Sequence, residues 1–223
     1  MKPELRRVGE SQSPVVVLDG FSEAVGDIVG IAAAMAPFEA SRGTYYPGLR
    51  RIITPADGAA NAYVEHMLEA AAPFIGGAFD FDRFDLLEAS FSMVTAQPDA
   101  LTAVQRAPHF DSTDPGYLAL LHYLADTPGT AFYRQRSTGI EIVDDGNVDR
   151  FVGAARAESV AMAGYIRQSD TYFEQTGVIE GRADRLVIYR GNMLHSGIIP
   201  EDMDFSSDPR RGRLTANIFI LGH

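Results

Sequence analysis

Tyr117-Leu-Ala-Leu-Leu-His-Tyr-Leu124 and the following Thr130-Ala-Phe-Tyr-Arg134 decide the fold. Both runs are rich in Leu, Phe and Tyr, both are too short for typical helices, and Pro128-Gly129 lies between them, so they read as consecutive β-strands. Outward from this pair the pattern repeats at Ser90–Thr95, Arg185–Tyr189 and Leu214–Leu221. One stretch, about 148–175, breaks the series with Ala-rich helical text. Towards the N-terminus a short strand is expected at Val15–Leu18. A helix then places Phe21 before a Ser22 cap, lines Val25, Ile28, Val29 and Ala32 along one face, and stops at Pro37. Ser41–Pro55, with Gly43, Pro47, Gly48 and Pro55, reads as loop. A second helix is expected over about 59–72, with Tyr63, Met67, Leu68 and Ala71 as its apolar stripe. The expected class is α+β, mainly β: helices outside a β-sandwich or jelly roll. Strands and helices do not alternate as in a doubly wound fold.

Composition narrows the chemistry. The chain has 223 residues, 46% hydrophobic and 22% charged, as expected for one folded domain: a helical support region over 1–83 and a β core over 84–223. A net charge of −11 repels phosphate backbones, which argues against nucleic acid and anionic membranes as partners. No run is long and apolar enough to span a membrane, and Met1–Pro14 is polar, so a cytoplasmic location is expected. With no cysteine, any metal site must use His, Asp or Glu.

Five histidines are available: His66, His109, His122, His195 and His223. The informative text is Pro108-His109-Phe110-Asp111. Residues two apart in an extended segment share a face, so His109 and Asp111 can aim an imidazole and a carboxylate at one point while Phe110 packs on the other side. Pro108 favours the extended backbone that precedes such a segment. His195 follows the strand Arg185–Tyr189 within Arg190-Gly-Asn-Met-Leu-His195-Ser-Gly197, at a glycine-bounded turn where function tends to collect. Taken singly, a His-x-Asp is also what a hydrogen-bonded surface pair looks like, and His195 also reads as a satisfied loop histidine. In the last strand Arg213, Thr215 and Asn217 share one face and Leu214, Ala216, Ile218 and Ile220 the other. Arg opening a polar inward face suits a bound carboxylate; an edge strand with a solvent-facing polar side gives the same pattern.

Taken together, His109-x-Asp111, His195 after a strand, and Arg213-x-Thr215 opening the last strand resemble the 2-oxoglutarate/Fe(II)-dependent oxygenase superfamily. Tyr117–Leu124 with Pro128–Phe132 is similar to the strand pair after the His-x-Asp in its prolyl-hydroxylase branch, and the likeness covers about residues 91–221. The resemblance implies a double-stranded β-helix. It implies Fe(II) on His109, Asp111 and His195, since two imidazoles and one carboxylate occupy one face of an octahedral ion and leave three positions open. It further implies 2-oxoglutarate and O₂ as cosubstrates, with Arg213 anchoring the distal carboxylate and Thr215 assisting. The spacing of 18 residues from His195 to Arg213 is longer than usual in that branch, because of the acidic loop 200–208, and it leaves Arg210 and Arg211 as rivals for the anchor. The second arginine that nucleic-acid demethylases carry further along this strand is absent: the position of Phe219 and its neighbours is apolar.

Three further expectations follow. His122, inside an apolar strand, is either a hydrogen-bonded core histidine or a cosubstrate neighbour. Arg134 and Arg136 either recognise an acidic substrate or pair with the chain's many carboxylates. Tyr45, in the aromatic segment 44–50, either covers the site entrance or packs over the barrel. The function expected is hydroxylation of a small-molecule or peptide substrate. The alternatives are a cupin-like metal enzyme that does not use 2-oxoglutarate and a catalytically inactive binding protein on the same fold.

Overall fold

The structure, a computed structural model, describes residues 1–40 and 45–223. Its strands are β1 (Lys2–Val8), β2 (Ser13–Asp19), β3 (Glu39–Ala40), β4 (Gly48–Ile52), β5 (Phe84–Val94), β6 (Tyr117–Tyr123), β7 (Thr127–Gln135), β8 (Phe173–Gly181), β9 (Arg185–Arg190), β10 (His195–Gly197) and β11 (Leu214–Gly222). The helices are α1 (Val25–Ala34), α2 (Gly58–Phe79), the short α3 (Ala103–Arg106) and α4 (Val148–Ser159). An eight-stranded antiparallel sheet has the order β1-β2-β9-β6-β11-β5-β4-β3, and a smaller sheet has the order β10-β7-β8. The two sheets face each other as a double-stranded β-helix. No described helix is long and apolar enough to cross a membrane.

Strand parity sorts the apolar residues into layers. Val16, Leu18, Leu118, Leu120, Leu186, Ile188, Leu214, Ala216, Ile218 and Ile220 face outward and form one core with α1 and α2. Their neighbours Val15, Val17, Ala119, Tyr123, Val187 and Tyr189 face inward and meet Phe132 and Ile179 of the smaller sheet. The central strands are therefore covered on both faces, which is why Leu186-Val-Ile-Tyr189 reads as an unbroken apolar run. On the far side of the smaller sheet, Tyr133, Phe173 and Leu194 pack against Phe151 of α4.

Several local expectations shift. Residues 1–83, read as helical support, also supply four strands. The segment 41–55, read as loop, contains β4; of that segment, Ser41–Thr44 lie outside the described residues. β4 runs so close to β5 that a Cβ on Gly48 would stand 1.9 Å from the Met93 carbonyl oxygen, so the glycine that suggested a loop is what permits the pairing. Helix α2 continues through Pro73 to Phe79, because burying Ile75 and Phe79 outweighs the missing proline N–H. Helix α1 begins at Val25 rather than directly after Ser22. The Ser22 hydroxyl donates to Asp184 and accepts from the Ala24 N–H.

His122 belongs to this outer layer. Its ring lies between the Tyr63 hydroxyl (2.8 Å from Nδ1) and Asp184 (3.1 Å from Nε2). Asp184 also accepts the Ser22 and Glu23 N–H groups. Burial holds the His122 imidazole below its ordinary value against the opposing pull of Asp184. Burial pushes the Asp184 carboxyl up, but hydrogen bonds from Ser22, Glu23 and His122 outweigh it and keep it below its ordinary value. Both groups therefore bind protons more readily unfolded than folded. The stability they contribute is complete above pH 6.5, the ordinary imidazole value, and is lost on acidification. The Asp184 share is lost later, as pH falls through the carboxylate range. Tyr63→Phe removes the partner of Nδ1 and is expected to lower stability by about 1–3 kcal/mol in denaturant unfolding at neutral pH.

Candidate metal centre and its cavity

Two chain segments far apart in number meet as a short antiparallel ladder beside β10. The His109 N–H donates to the His195 carbonyl (2.9 Å), and the His195 N–H donates back to His109 (2.8 Å). Two residues on, the Asp111 N–H donates to the Gly191 carbonyl (2.7 Å). Directly paired residues on one face bring their side chains close, and the two imidazole centroids stand 4.4 Å apart. Gly191 is the tightest point: a Cβ there would lie 2.5 Å from the Tyr117 ring and 3.2 Å from the Asp111 Cβ. The turn glycine thus makes room first for the Tyr117 ring and, less tightly, for Asp111.

His109, Asp111 and His195 each offer one ligand atom, and these atoms all lie within 4.8 Å of one another. The His109 Nε2 is 3.8 Å from Asp111 Oδ1, and the His195 Nε2 is 3.6 Å from Asp111 Oδ2. Both separations exceed a hydrogen bond, and Asp111 Oδ2 is buried without a hydrogen-bond partner. Three lone-pair donors around one point, with no proton shared between them, fit a divalent cation. The other nitrogen of His195, Nδ1, lies 2.8 Å from the Met193 carbonyl oxygen, a bond that requires the Nδ1–H tautomer and leaves Nε2 free as a ligand. Burial and the neighbouring His195 hold His109 well below its ordinary pKa, so its imidazole is neutral at pH 7. Burial raises the Asp111 carboxyl, while His195 and Arg50 pull it down less strongly.

The three residues open into a cavity of about 370 Å³ between the sheets. Arg213, Thr215, Asn217 and Phe219 line it, one face of the last strand. The Arg213 side chain lies over the Tyr123 ring (5.9 Å to the centroid), and its Nε is buried without a hydrogen bond. No carboxylate among the described residues is within ion-pair distance of it. Gly197 shares the face of His195, about 7 Å further along β10. A Cβ on Gly197 would come 3.3 Å from an Arg213 terminal nitrogen, so the guanidinium is seated against bare backbone next to the metal-ligand candidates. Arg210 and Arg211 are exposed, and Arg211 pairs with Asp204.

Tyr45 lines the cavity and is exposed at its rim. His122 does not reach it: the ring faces the helical layer, on the opposite side of β6 from the cavity. Arg134 and Arg136 are likewise elsewhere. Arg134 pairs with Glu10 and Glu174, while Arg136 pairs with Glu174 and donates to the Asp170 carbonyl. The chain's own carboxylates thus take up both guanidiniums. Arg50 of β4 and Glu88 of β5 were not singled out from sequence, yet both line the cavity and form an ion pair there. The sequence carried no local signal for Arg50, because its inward-facing position exists only once residues 48–52 pair with β5.

A family model described as a family of unknown function, DUF6445, matches residues 1–220. No curated protein matches the chain. Among solved structures the chain is similar to the non-heme alpha ketoglutarate dependent epimerase SnoN from nogalamycin biosynthesis. The two are 13% identical with a TM-score of 0.59, covering 94% of this chain and 79% of that one. It is also similar to HygX from Streptomyces hygroscopicus with nickel and 2-oxoglutarate bound, at 13% identity and a TM-score of 0.53, covering 94% and 83%. At these identities the likeness is one of fold: the architecture is that of 2-oxoglutarate/Fe(II) oxygenase structures.

Asp111→Ala and His195→Ala are expected to weaken binding of a divalent ion, read by isothermal titration, by more than about a hundredfold. That exceeds what loss of a supporting hydrogen bond costs at a metal site. His122→Gln is expected to leave this affinity unchanged.

Proposed function

We propose that this chain, which belongs to the DUF6445 family, is an Fe(II)- and 2-oxoglutarate-dependent oxygenase that hydroxylates a small-molecule or peptide substrate. The observation that carries the reading is a pairing within one cavity: three converging lone-pair donors, and a buried guanidinium that no carboxylate of the described chain neutralises. A buried cation without a partner is costly, and a bound dicarboxylate supplies the partner. The fold shared with SnoN, an alpha ketoglutarate dependent epimerase, and with HygX, whose structure has 2-oxoglutarate bound, supports the same assignment.

His109, Asp111 and His195 would hold Fe(II), and Arg213 with Thr215 would hold the distal carboxylate of 2-oxoglutarate. When bound, the iron and its cosubstrate supply the oxidising chemistry that uses O₂. The chain's own residues do the rest. The Met193 carbonyl fixes the His195 tautomer, and the Tyr189 ring, 4.9 Å from the His195 ring and at 68° to it, holds the imidazole plane. The inward-facing Val17, Ala119, Val187 and Phe132 exclude water behind the site. Tyr46 and Tyr189, pushed up by burial, stay protonated and add no competing anion to the cavity; for Tyr46 the value rises to about 12. Residues 1–223 act as one oxygenase-like unit in this reading, with α1 and α2 bracing the large sheet.

Anaerobic addition of Fe(II) and then 2-oxoglutarate is expected to produce the weak visible charge-transfer band of the chelate. Arg213→Ala is expected to raise the 2-oxoglutarate concentration needed for half of that band by about tenfold or more, with the ion still bound. A metal-loaded, folded protein that shows no band with 2-oxoglutarate refutes the proposal.

A further inference from the structure

Beyond the ligand candidates and Arg213, the charged residues lining the cavity are Arg50 and Glu88. Their pairing is partial. One Arg50 terminal nitrogen donates to Glu88 Oε1 and to the Ser90 hydroxyl (2.9 Å), but the Arg50 Nε is buried with no partner. The Glu88 Oε2 makes no hydrogen bond or ion pair among the described residues. Asn217, which faces Ser90 across β5 and β11, has a buried side-chain oxygen with no partner either. The cavity wall therefore carries a cationic donor, a half-used carboxylate and an amide. Buried polar groups such as the Arg50 Nε and the Asn217 oxygen are normally satisfied, and a polar ligand in the cavity would supply the partners the chain does not.

The charge balance narrows the ligand, and this step rests on the oxygenase reading above. With Fe(II) and 2-oxoglutarate in place, the ion and Arg213 balance Asp111 and the two carboxylates of the cosubstrate. Arg50 and Glu88 balance each other. The lining tyrosines Tyr46, Tyr117 and Tyr165 are all pushed up by burial and stay neutral. The loaded cavity is electroneutral, so a substrate of net charge would bring an uncompensated charge into a low-dielectric site. A substrate with one positive and one negative group would instead satisfy both ends of the Arg50–Glu88 pair.

We propose that the Arg50–Glu88 pair, with Asn217, recognises the zwitterionic head of a free α-amino acid. The carboxylate lies on the Arg50 guanidinium and the ammonium between Glu88 and Asn217. The side chain lies among Tyr45, Tyr46, Tyr117, Tyr165 and Phe110, which suits an aromatic or large aliphatic group.

The test uses the full chain, anaerobic, with Fe(II) and 2-oxoglutarate bound, and reads perturbation of the visible chelate band. The probes are L-phenylalanine and L-leucine. Against them stand N-acetyl-L-phenylalanine, which keeps only the negative group, L-phenylalanine methyl ester, which keeps only the positive one, and N-acetyl-L-phenylalaninamide, which has neither. At least one free amino acid is expected to perturb the band at a concentration about tenfold or more below every charge-deleted analogue. Glu88→Gln strips Arg50 of its counter-ion and is expected to move the preference towards the N-acetyl anion. Should that variant not fold, the wild-type analogue series decides alone. A chelate that no free amino acid perturbs, or that the uncharged amide perturbs best, overturns this inference and leaves the oxygenase reading standing. A chelate that never forms overturns both.

Discussion

The exchange of backbone hydrogen bonds between His109 and His195 is the contact on which the site depends. It is a main-chain interaction, yet its consequence is chemical: it sets two imidazoles side by side on one face, and the Asp111–Gly191 bond two residues on adds the carboxylate to the same face. No hydrogen bond ties either imidazole to Asp111 across the gap. The ladder positions them, and the lone pairs are left pointing at common space. A metal site built on strand pairing in this way inherits the rigidity of the sheet, so the ligand set is preorganised before any ion arrives.

The large sheet makes that rigidity possible because it is sealed on both sides. Helices α1 and α2 cover its outer face with a continuous apolar layer, and within that layer the single polar group of β6, His122, is held by Tyr63 and Asp184. The inner face can then afford to be polar. Arg213, Thr215 and Asn217 alternate with Leu214, Ala216 and Ile218 along one strand, so a single β11 contributes both to the apolar core and to the cavity wall. The stability comes from one parity and the chemistry from the other.

Arginines in this chain divide by the company they keep. Arg134, Arg136, Arg185 and Arg211 have carboxylate partners that account for their charge. Arg213 has none among the described residues, and Arg50 has one that leaves its Nε unused. Both of these lie in the same cavity as the His-Asp-His group. An acidic protein with carboxylates to spare has left its inward-facing guanidiniums with capacity for a ligand.

Much of this was legible in the residues themselves. The i, i+2 spacing of His109 and Asp111 and the alternation along 213–220 are local facts of extended backbone, and no tertiary information is needed to see which side chains share a face. The strand runs from Ser90 onward were legible for the same reason, being short, apolar and separated by turns. What only the folded chain decided depends on distance in sequence. Nothing in the order of residues says that position 109 pairs with position 195, that Asp184 and Tyr63 claim His122, or that Glu10 and Glu174 claim Arg134. Nor could residues 48–52 be recognised as a strand alone, since Gly48 and two arginines look like loop until Met93 packs against the missing Cβ and β5 supplies the ladder. A side chain's direction is set by its own backbone, but its partner is set by whichever distant segment the core brings alongside.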